Sequence, residues 1–350
     1  MIKILHSADW HLDAPLVSAN TAQVGAVQQA LEKIPSLICN LAIANGCDLM
    51  LLSGDLFDVA PSPATVKSVK KALEDVKIPV CISPGNHDFM GNDSPWRTTL
   101  WPDNVHVFTK QEIEFIDIPQ LHCRVYGAGF LSMDCPGMLE NFQAEDTATY
   151  RLGVFHADPT QINSPYNPVT ANQVANSHLH YLALGHIHKQ GSFRAGDTLC
   201  AWPGCPVGKG YDEQGQKGVL LVTLDTQATA QFIPLPGPQF YDLTAPADQG
   251  LSSVLPPVGN DYFYRITLTG ESEPLNLSAL KASYPQFPHL TLRDETVPPV
   301  DIWSALGQDN FEGLLFDTFR DALSRTGDET IALAAKICRQ LLDGQEVRLP

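Results

Sequence analysis

The chain has 350 residues, 44% hydrophobic and 17% charged, which is enough for two domains with a substantial core. Its formal net charge of −17 repels nucleic acid at long range and argues against a stand-alone, high-affinity DNA binder. The eight cysteines are scattered with no Cys-x-x-Cys pair, which reads as buried, reduced thiols in a cytoplasmic protein.

Residues 2–8 read as a strand entered directly from the N-terminus, without the basic, apolar and small-residue succession of a signal peptide. It runs into Asp9-Trp10-His11. Apolar residues at spacings of three and four predict a helix over 22–45, with Pro35 as a kink or a break between two helices and Gly46 as its C-cap. The next strand, Leu49-Met50-Leu51-Leu52, has four consecutive apolar side chains and so needs cover on both faces; it delivers Asp55 at its carboxyl end. A helix over 63–76 and a strand over 79–83 lead to Gly85-Asn86-His87-Asp88. A short helical stretch near 94–101 and strands near 104–108, 112–117 and 122–127 follow. Strand 151–156 ends in His156, and strand 181–185 runs into His186-Ile187-His188. Strands at 198–202, 218–224 and 228–233 complete this part. A pair of sheets flanked by helices, an α/β fold, suits the order.

Prolines crowd residues 234–257, and the domain boundary is placed there, giving domains 1–235 and 236–350. The second reads as strand 262–269, helix 276–284, strand 289–293 and two amphipathic helices after Asp309 and Asp328. The charge deficit is shared, at net −9 and net −8, so the second domain is no basic clamp. No run of about 18 apolar residues is present to span a membrane.

Five strand ends therefore carry ligand-type side chains. Asp9 and His11 stand at i and i+2, about 6.5–7 Å apart on extended chain and able to share one metal between their tips. Asp55 adds a carboxylate and Asn86 an amide oxygen suited to a hard cation. His87 can face a substrate, with Asp88 to hold its tautomer. His156, His186 and His188 supply imidazoles. Mixed nitrogen and oxygen donors without thiolate suit Mn²⁺, Fe²⁺ or Zn²⁺ and not a structural zinc cage. Seven such groups are too many for one ion with open positions. They suit two ions about 3.5–4 Å apart that share Asp55, as in phosphate-ester hydrolysis.

These motifs, Asp-x-His, Gly-Asp-x-x-Asp, Gly-Asn-His-Asp, a strand-end His and Gly-His-x-His, resemble the calcineurin-like metallophosphoesterases in order and spacing over residues 1–235. The finer resemblance is to SbcD-like DNA repair exonucleases, including the YhaO-type branch. It is carried by His6-Ser7-Ala8-Asp9-Trp10-His11-Leu12-Asp13, by Trp202-Pro203-Gly204, by Gly208-Lys209-Gly210-Tyr211-Asp212-Glu213 and, less specifically, by Leu292-Arg293-Asp294-Glu295-Thr296 and Asp343-Gly344-Gln345-Glu346-Val347.

The resemblance implies a two-sheet αββα metallophosphoesterase sandwich with a smaller α+β capping domain that docks a partner. It implies two ions, usually Mn²⁺. One is held by Asp9, His11, Asp55 and His188, the other by Asp55, Asn86, His156 and His186. His87 would contact the scissile phosphate as general acid or electrostatic stabiliser, and Asp88 would orient it. Where some relatives carry a histidine this chain has Asp58, to which no catalytic role is given. The implied activity is 3′→5′ exonuclease with possible single-strand endonuclease action on DNA, in a homodimer paired with an SMC-like coiled-coil ATPase. A small nucleotide or other phosphodiester is the alternative substrate, and a catalytically silent, metal-stabilised scaffold is the second alternative. Lys209 could meet a DNA phosphate. His6, His106, His122, His178, His180 and His289 are read as structural.

Overall fold

Two six-stranded sheets are built from the first two-thirds of the chain. The first holds β1 (Ile2–Ser7), β2 (Leu49–Leu52), β3 (Val80–Ile82) and β4 (Val105–Val107) in parallel succession. The second holds β5 (Glu114–Ile118), β6 (Cys123–Gly127), β7 (Tyr150–His156), β8 (Tyr181–Gly185), β9 (Gly191–Ala195) and β10 (Thr198–Trp202), in the order β5-β6-β7-β8-β10-β9. The hairpin of β11 (Gly218–Leu224) and β12 (Ala228–Pro234) returns to the first sheet beside β1, so its order is β12-β11-β1-β2-β3-β4. A computed structural model of the chain describes all residues except 17–19, 59, 256–257, 260, 346 and 348–350. Pro256 and Pro257 of the boundary stretch and Glu346 of the C-terminal motif lie outside the described residues.

Alternate residues of the two sheets meet in one core. Ile4, Leu49, Leu51, Leu220 and Val222 from one face pack with Val125, Leu152, Val154, Tyr181 and Ala183 from the other. The opposite faces are covered by helices, which is why the central strands are apolar without alternation. α1 (Thr21–Ala44) and α2 (Pro63–Val76) pack on each other, and α1 also packs on β1. α3 (Pro95–Thr98) is a single turn, and α4 (Ala171–Asn176) lies on β9 and β10, with Val174 in the outer core of the second sheet. The layers are thus helix, sheet, sheet, helix.

Local chemistry explains the helix starts. The Asn20 side chain accepts from Ala22 N and Gln23 N at the head of α1, and Ser62 caps α2 with proline at the first helical turn. α1 runs through Pro35 as one helix and does not break there. In the first two sheets and their helices, two elements were not foreseen. α4 is six residues long, too short for a periodic signal, and β9 alternates between half-buried and exposed residues beside a glycine.

The chain divides into two compact units, Met1–Phe240 and Tyr241–Pro350. The proline-rich stretch is not a bare linker, because it contains β13 (Gln239–Pro246). β13, β14 (Tyr262–Thr269) and β15 (Leu290–Asp294) form a third sheet in that order, with β14 and β15 parallel and α5 (Leu277–Ala282) against β15. Ala245, Tyr264, Ile266, Leu268, Phe287 and Leu290 make its core. α6 (Phe311–Thr326) and α7 (Glu329–Leu342) pack on each other around Phe316 and Ala335. All eight cysteines are free, seven of them buried. No helix among the described residues is long and apolar enough to cross a membrane.

Candidate metal centre

Parallel strands β1, β2 and β3 point their carboxyl ends to one edge of the first sheet, and β7 and β8 do the same in the second. The segments just beyond those ends converge. Asp9 N donates to Gly54 O at 3.0 Å and His11 N to Asp55 O at 2.9 Å, which ties the first loop to the second. His186 N donates to Asp9 Oδ1 at 2.9 Å, tying the two sheets together. Close approach needs glycine at two positions. A Cβ on Gly85 would lie 2.2 Å from Asp55 Oδ1, and one on Gly185 would lie 2.1 Å from Ser53 O. Asp9, His11, Asp55 and His186 adopt positive φ values of 55°, 46°, 51° and 87°. Such backbone costs on the order of 1–3 kcal/mol per residue and persists only where the surroundings over-determine it.

The side chains brought together are Asp9, His11, Asp55, Asn86, His156, His186 and His188. Asp55 Oδ2 lies 3.3 Å from His156 Nε2 on one side and 3.7 Å from His11 Nε2 on the other. Asn86 Oδ1 lies 2.9 Å from His156 Nε2 and 3.3 Å from His186 Nδ1. His11 Nε2 and His188 Nε2 are 3.0 Å apart. Asp9, His11 and His188 form one group able to hold a cation, and Asp9, Asp55 and His156 another.

Hydrogen bonding decides which nitrogens are free to ligate. His156 Nδ1 sits 2.9 Å from Ser53 O, and a carbonyl can only accept, so Nδ1 carries the proton. Its Nε2 lone pair then faces two oxygen acceptors, Asp55 Oδ2 and Asn86 Oδ1. Acceptors crowded in this way repel unless a cation stands among them. A proton can serve: although burial lowers the His156 pKa, Asp55 and Asp9 outweigh it and bring it to about 9. His188 repeats the pattern, with Nδ1 donating to Glu213 Oε1 at 2.5 Å and Nε2 left facing His11. Burial lowers His11 to about 3, and burial with His156 lowers His186 to about 4, so both imidazoles are neutral at pH 7. Burial raises Asp55, but His156 and His11 more than offset this and keep it ionised. Asp9 Oδ2 and His11 Nδ1 are buried without a hydrogen-bond partner. Neutral imidazoles, an ionised central carboxylate and orphaned buried donor atoms fit a pair of divalent ions.

The structure corrects the role given to Asp88. That carboxylate does not reach the His87 ring; it accepts four backbone amides, from Gly85 (2.7 Å), Leu56 (2.9 Å), Asp55 (3.2 Å) and Phe57 (3.4 Å). Neighbours on a tight turn point apart, and Asp88 is spent on holding the β2 and β3 loops together. Burial and the nearby Asp55 raise its pKa to about 6. His87 instead bonds through Nδ1 to Asp58 Oδ1 at 3.0 Å, so Asp58, left without a role from the sequence, is the partner of that imidazole. The His87 ring lies edge to face with His11, centroids 4.7 Å apart, and is about one-third exposed, unlike the buried group beneath it.

Glu213 was not foreseen. It is buried, bonds His188, and accepts Lys209 N at 2.7 Å through its other oxygen, with Lys209 Nζ 3.8 Å away. Burial raises its pKa, but His188 and Lys209 outweigh this and hold it at about 2. Only its place in the Gly-Lys-Gly loop marked it, since nothing in sequence links it to His188. Lys209 is thereby engaged with Glu213. His6 lies between the sheets, with Nδ1 2.7 Å from Tyr181 Oη and Nε2 2.8 Å from Ser53 Oγ. His180 accepts from Arg151 N, and in the second unit His289 stacks on Phe263.

Residues 2–190 match the family described as calcineurin-like phosphoesterase. The chain is 28% identical over 237 residues to the uncharacterized metallophosphoesterase YhaO of Bacillus subtilis, covering 63% of this chain and 57% of that protein. It is 23% identical over 266 residues to a subunit of the SbcCD nuclease of the same organism, covering 63% and 66%. The corresponding SbcCD nuclease component of Staphylococcus epidermidis is 22% identical over 278 residues, covering 67% and 70%. The matched region thus spans just over half of the first relative and about two-thirds of the others.

Proposed function

The chain belongs to the calcineurin-like phosphoesterases, and from that premise we propose that it is a two-metal phosphodiesterase acting on DNA, a 3′→5′ exonuclease with single-strand endonuclease activity. The observation that carries this reading is the pair of buried ligand atoms without hydrogen-bond partners, Asp9 Oδ2 and His11 Nδ1, beside Asp55, whose Oδ2 lies 3.3 Å from His156 Nε2 and 3.7 Å from His11 Nε2. Asp9, His11, Asp55 and His188 would hold one ion and Asp55, Asn86, His156 and His186 the other, with Mn²⁺ as the proposed metal and Fe²⁺ or Zn²⁺ as substitutes. When bound, the ions supply positive charge against the phosphate oxygens and make water a nucleophile at neutral pH.

The chain's own residues do the rest. Asp55 and Asn86 keep oxygens aimed at the centre. Glu213 and the Ser53 carbonyl hold His188 and His156 in the tautomer that leaves Nε2 open. Asp58 accepts the hydrogen bond of His87 Nδ1, leaving Nε2 as the atom for the substrate. In hydrolysis, water oxygen bonds to phosphorus, the bond from phosphorus to the leaving oxygen breaks, and that oxygen takes a proton from His87 Nε2. The proton lost by the water restores the imidazolium through solvent. The products are a 5′-phosphate and a 3′-hydroxyl.

The names of the SbcCD relatives support a nuclease reading and an assembly with a second kind of subunit. A homodimer paired with an SMC-like coiled-coil ATPase, and a capping and docking role for the second domain, belong to the same proposal. The net charge of −17 favours a second reading, a small nucleotide or other small phosphodiester as substrate. Purified protein with Mn²⁺, bis(p-nitrophenyl) phosphate and end-labelled single-stranded DNA tests the choice. Hydrolysis of both, with the 5′ label kept on a shrinking ladder, is expected. Turnover of cyclic nucleotides with none of DNA would move the assignment to the second reading. Fewer than two ions per chain at Mn²⁺ saturation would revive the non-catalytic scaffold.

A further inference from the structure

A cleft of about 860 Å³ opens beside the metal centre, and His87 and Asp58 form part of its wall. It runs along α2 to the segment around α3, so one end touches the imidazole that faces substrate and the other extends away from it. The volume is several times what a phosphate group needs. None of the ion-binding side chains lines it, so it is room for whatever is attached to the phosphate.

Two features give the lining a chemistry. Lys67 and Lys70 stand at i and i+3 on α2, on one helix face, and both line the cleft. Neither has a hydrogen-bond or ion-pair partner among the described residues, whereas the adjacent Lys71 is bonded to Asp75. Of the acids in the lining, Asp58 is bonded to His87 and Asp88 to four backbone amides, which leaves Asp93 against two lysines. In a chain of net charge −17, two lysines without partners on one face beside the site are a local concentration of positive charge, set against the three carboxylates of the same lining. Phe89, half-buried and two residues from His87, adds an aromatic side chain to the same lining. An aromatic face and a pair of ammonium groups are what a single strand asks of a protein: stacking for a base and charge for its phosphate.

The geometry points to this cleft as the subsite for the leaving strand. The nucleoside whose 3′ oxygen departs stacks on Phe89, and Lys67 and Lys70 take the next phosphate along. The side is set by His87, because the group that protonates the leaving oxygen must lie against the strand that leaves. The inference rests on the phosphodiesterase reading above and narrows its substrate to an oligonucleotide with a second phosphate on the leaving side. Nothing in it concerns how the ions are bound.

Three thymidine substrates test it with Mn²⁺-loaded full-length protein: a dinucleotide with one phosphate, a trinucleotide with two, and the dinucleotide carrying its extra phosphate at the 3′ end. The trinucleotide is expected to exceed the dinucleotide in kcat/KM by about tenfold or more, an effect equal to about 1.4 kcal/mol. The 3′-phosphorylated dinucleotide is expected to gain nothing. In Lys67→Ala/Lys70→Ala, made at helix positions where alanine is well tolerated, the trinucleotide preference should fall to about one, with the change in KM. Phe89→Ala should lower kcat/KM for the dinucleotide, and Phe89→Trp should restore it. A preference that survives in the double variant overturns the subsite. So does wild-type protein that cleaves bis(p-nitrophenyl) phosphate yet gains nothing from the second phosphate, while the phosphodiesterase reading stands. Failure to cleave any diester overturns both.

Discussion

The floor of the centre and its rim are built differently. The floor, Asp9, His11, Asp55, Asn86 and His156, is at most 5% exposed and hangs from the ends of strands whose cores are packed on both sides. The rim, His87, Asp58 and the cleft beyond them, sits on loops and on one face of α2. The floor spends left-handed backbone and two obligatory glycines to crowd acceptors together. The rim spends little, and His87 Nε2 and the ammonium groups of Lys67 and Lys70 have no hydrogen-bond partner among the described residues. On the proposed reading, the difference teaches that ion binding would be a property of the fold, whereas proton delivery and substrate choice would be set by a few replaceable side chains.

Changes at the rim should therefore cut turnover without touching the ions or the fold. His87→Ala is expected to lower kcat by about 100- to 10,000-fold while metal content stays that of the wild type, measured by elemental analysis beside the kinetic assay. The same loss accompanied by loss of metal would place His87 in the floor. Asp88 and Asp58 separate the two regions most sharply. Asp88→Ala strands buried amide donors and should cost roughly 3 kcal/mol of stability in a denaturant titration. Asp58→Asn should leave the unfolding midpoint alone and lower kcat by roughly tenfold, with little change in KM and with partial recovery in Asp58→Glu. A stability loss in Asp58→Asn as large as that of Asp88→Ala would dissolve the distinction.

A smaller effect lies between the sheets. His6 is buried with Tyr181 and Ser53, and burial lowers its pKa to about 3. The unfolded chain takes up that proton near pH 6.5, the folded chain only near 3. Stability should thus be lost as pH falls through this window, with His6 contributing about 1.4 kcal/mol per pH unit. In His6→Gln that contribution should vanish, seen as a flatter unfolding free energy between pH 6.5 and 5. An unchanged slope would mean that His6 is protonated in the folded protein.

The floor was legible in the sequence because polar ligand types at the ends of uniformly apolar runs are conspicuous, and parallel strands bring such ends to one edge. His186-Ile187-His188 and Asp9-Trp10-His11 gave themselves away by this contrast. The rim was less legible. Asp88 follows His87 in the chain and so suggested itself as a partner, but a tight turn sends the two side chains apart, and the true partner arrives from the β2 loop. Glu213 reaches His188 from 25 residues away. The structure of β13 was hidden by prolines at its flanks, and α4 by its brevity. Long apolar elements announce themselves because their pattern repeats. A single contact between two loops has no pattern to repeat.

The central claim is that one carboxylate, Asp55, serves both ions. Counting Mn²⁺ bound per chain in wild type, Asp55→Asn and Asp9→Asn, by calorimetric titration of the metal-free proteins, tests it most directly. The account predicts two ions for the wild type, loss of high affinity at both positions in Asp55→Asn, and one ion retained in Asp9→Asn. An Asp55→Asn protein that keeps one ion at wild-type affinity would contradict it.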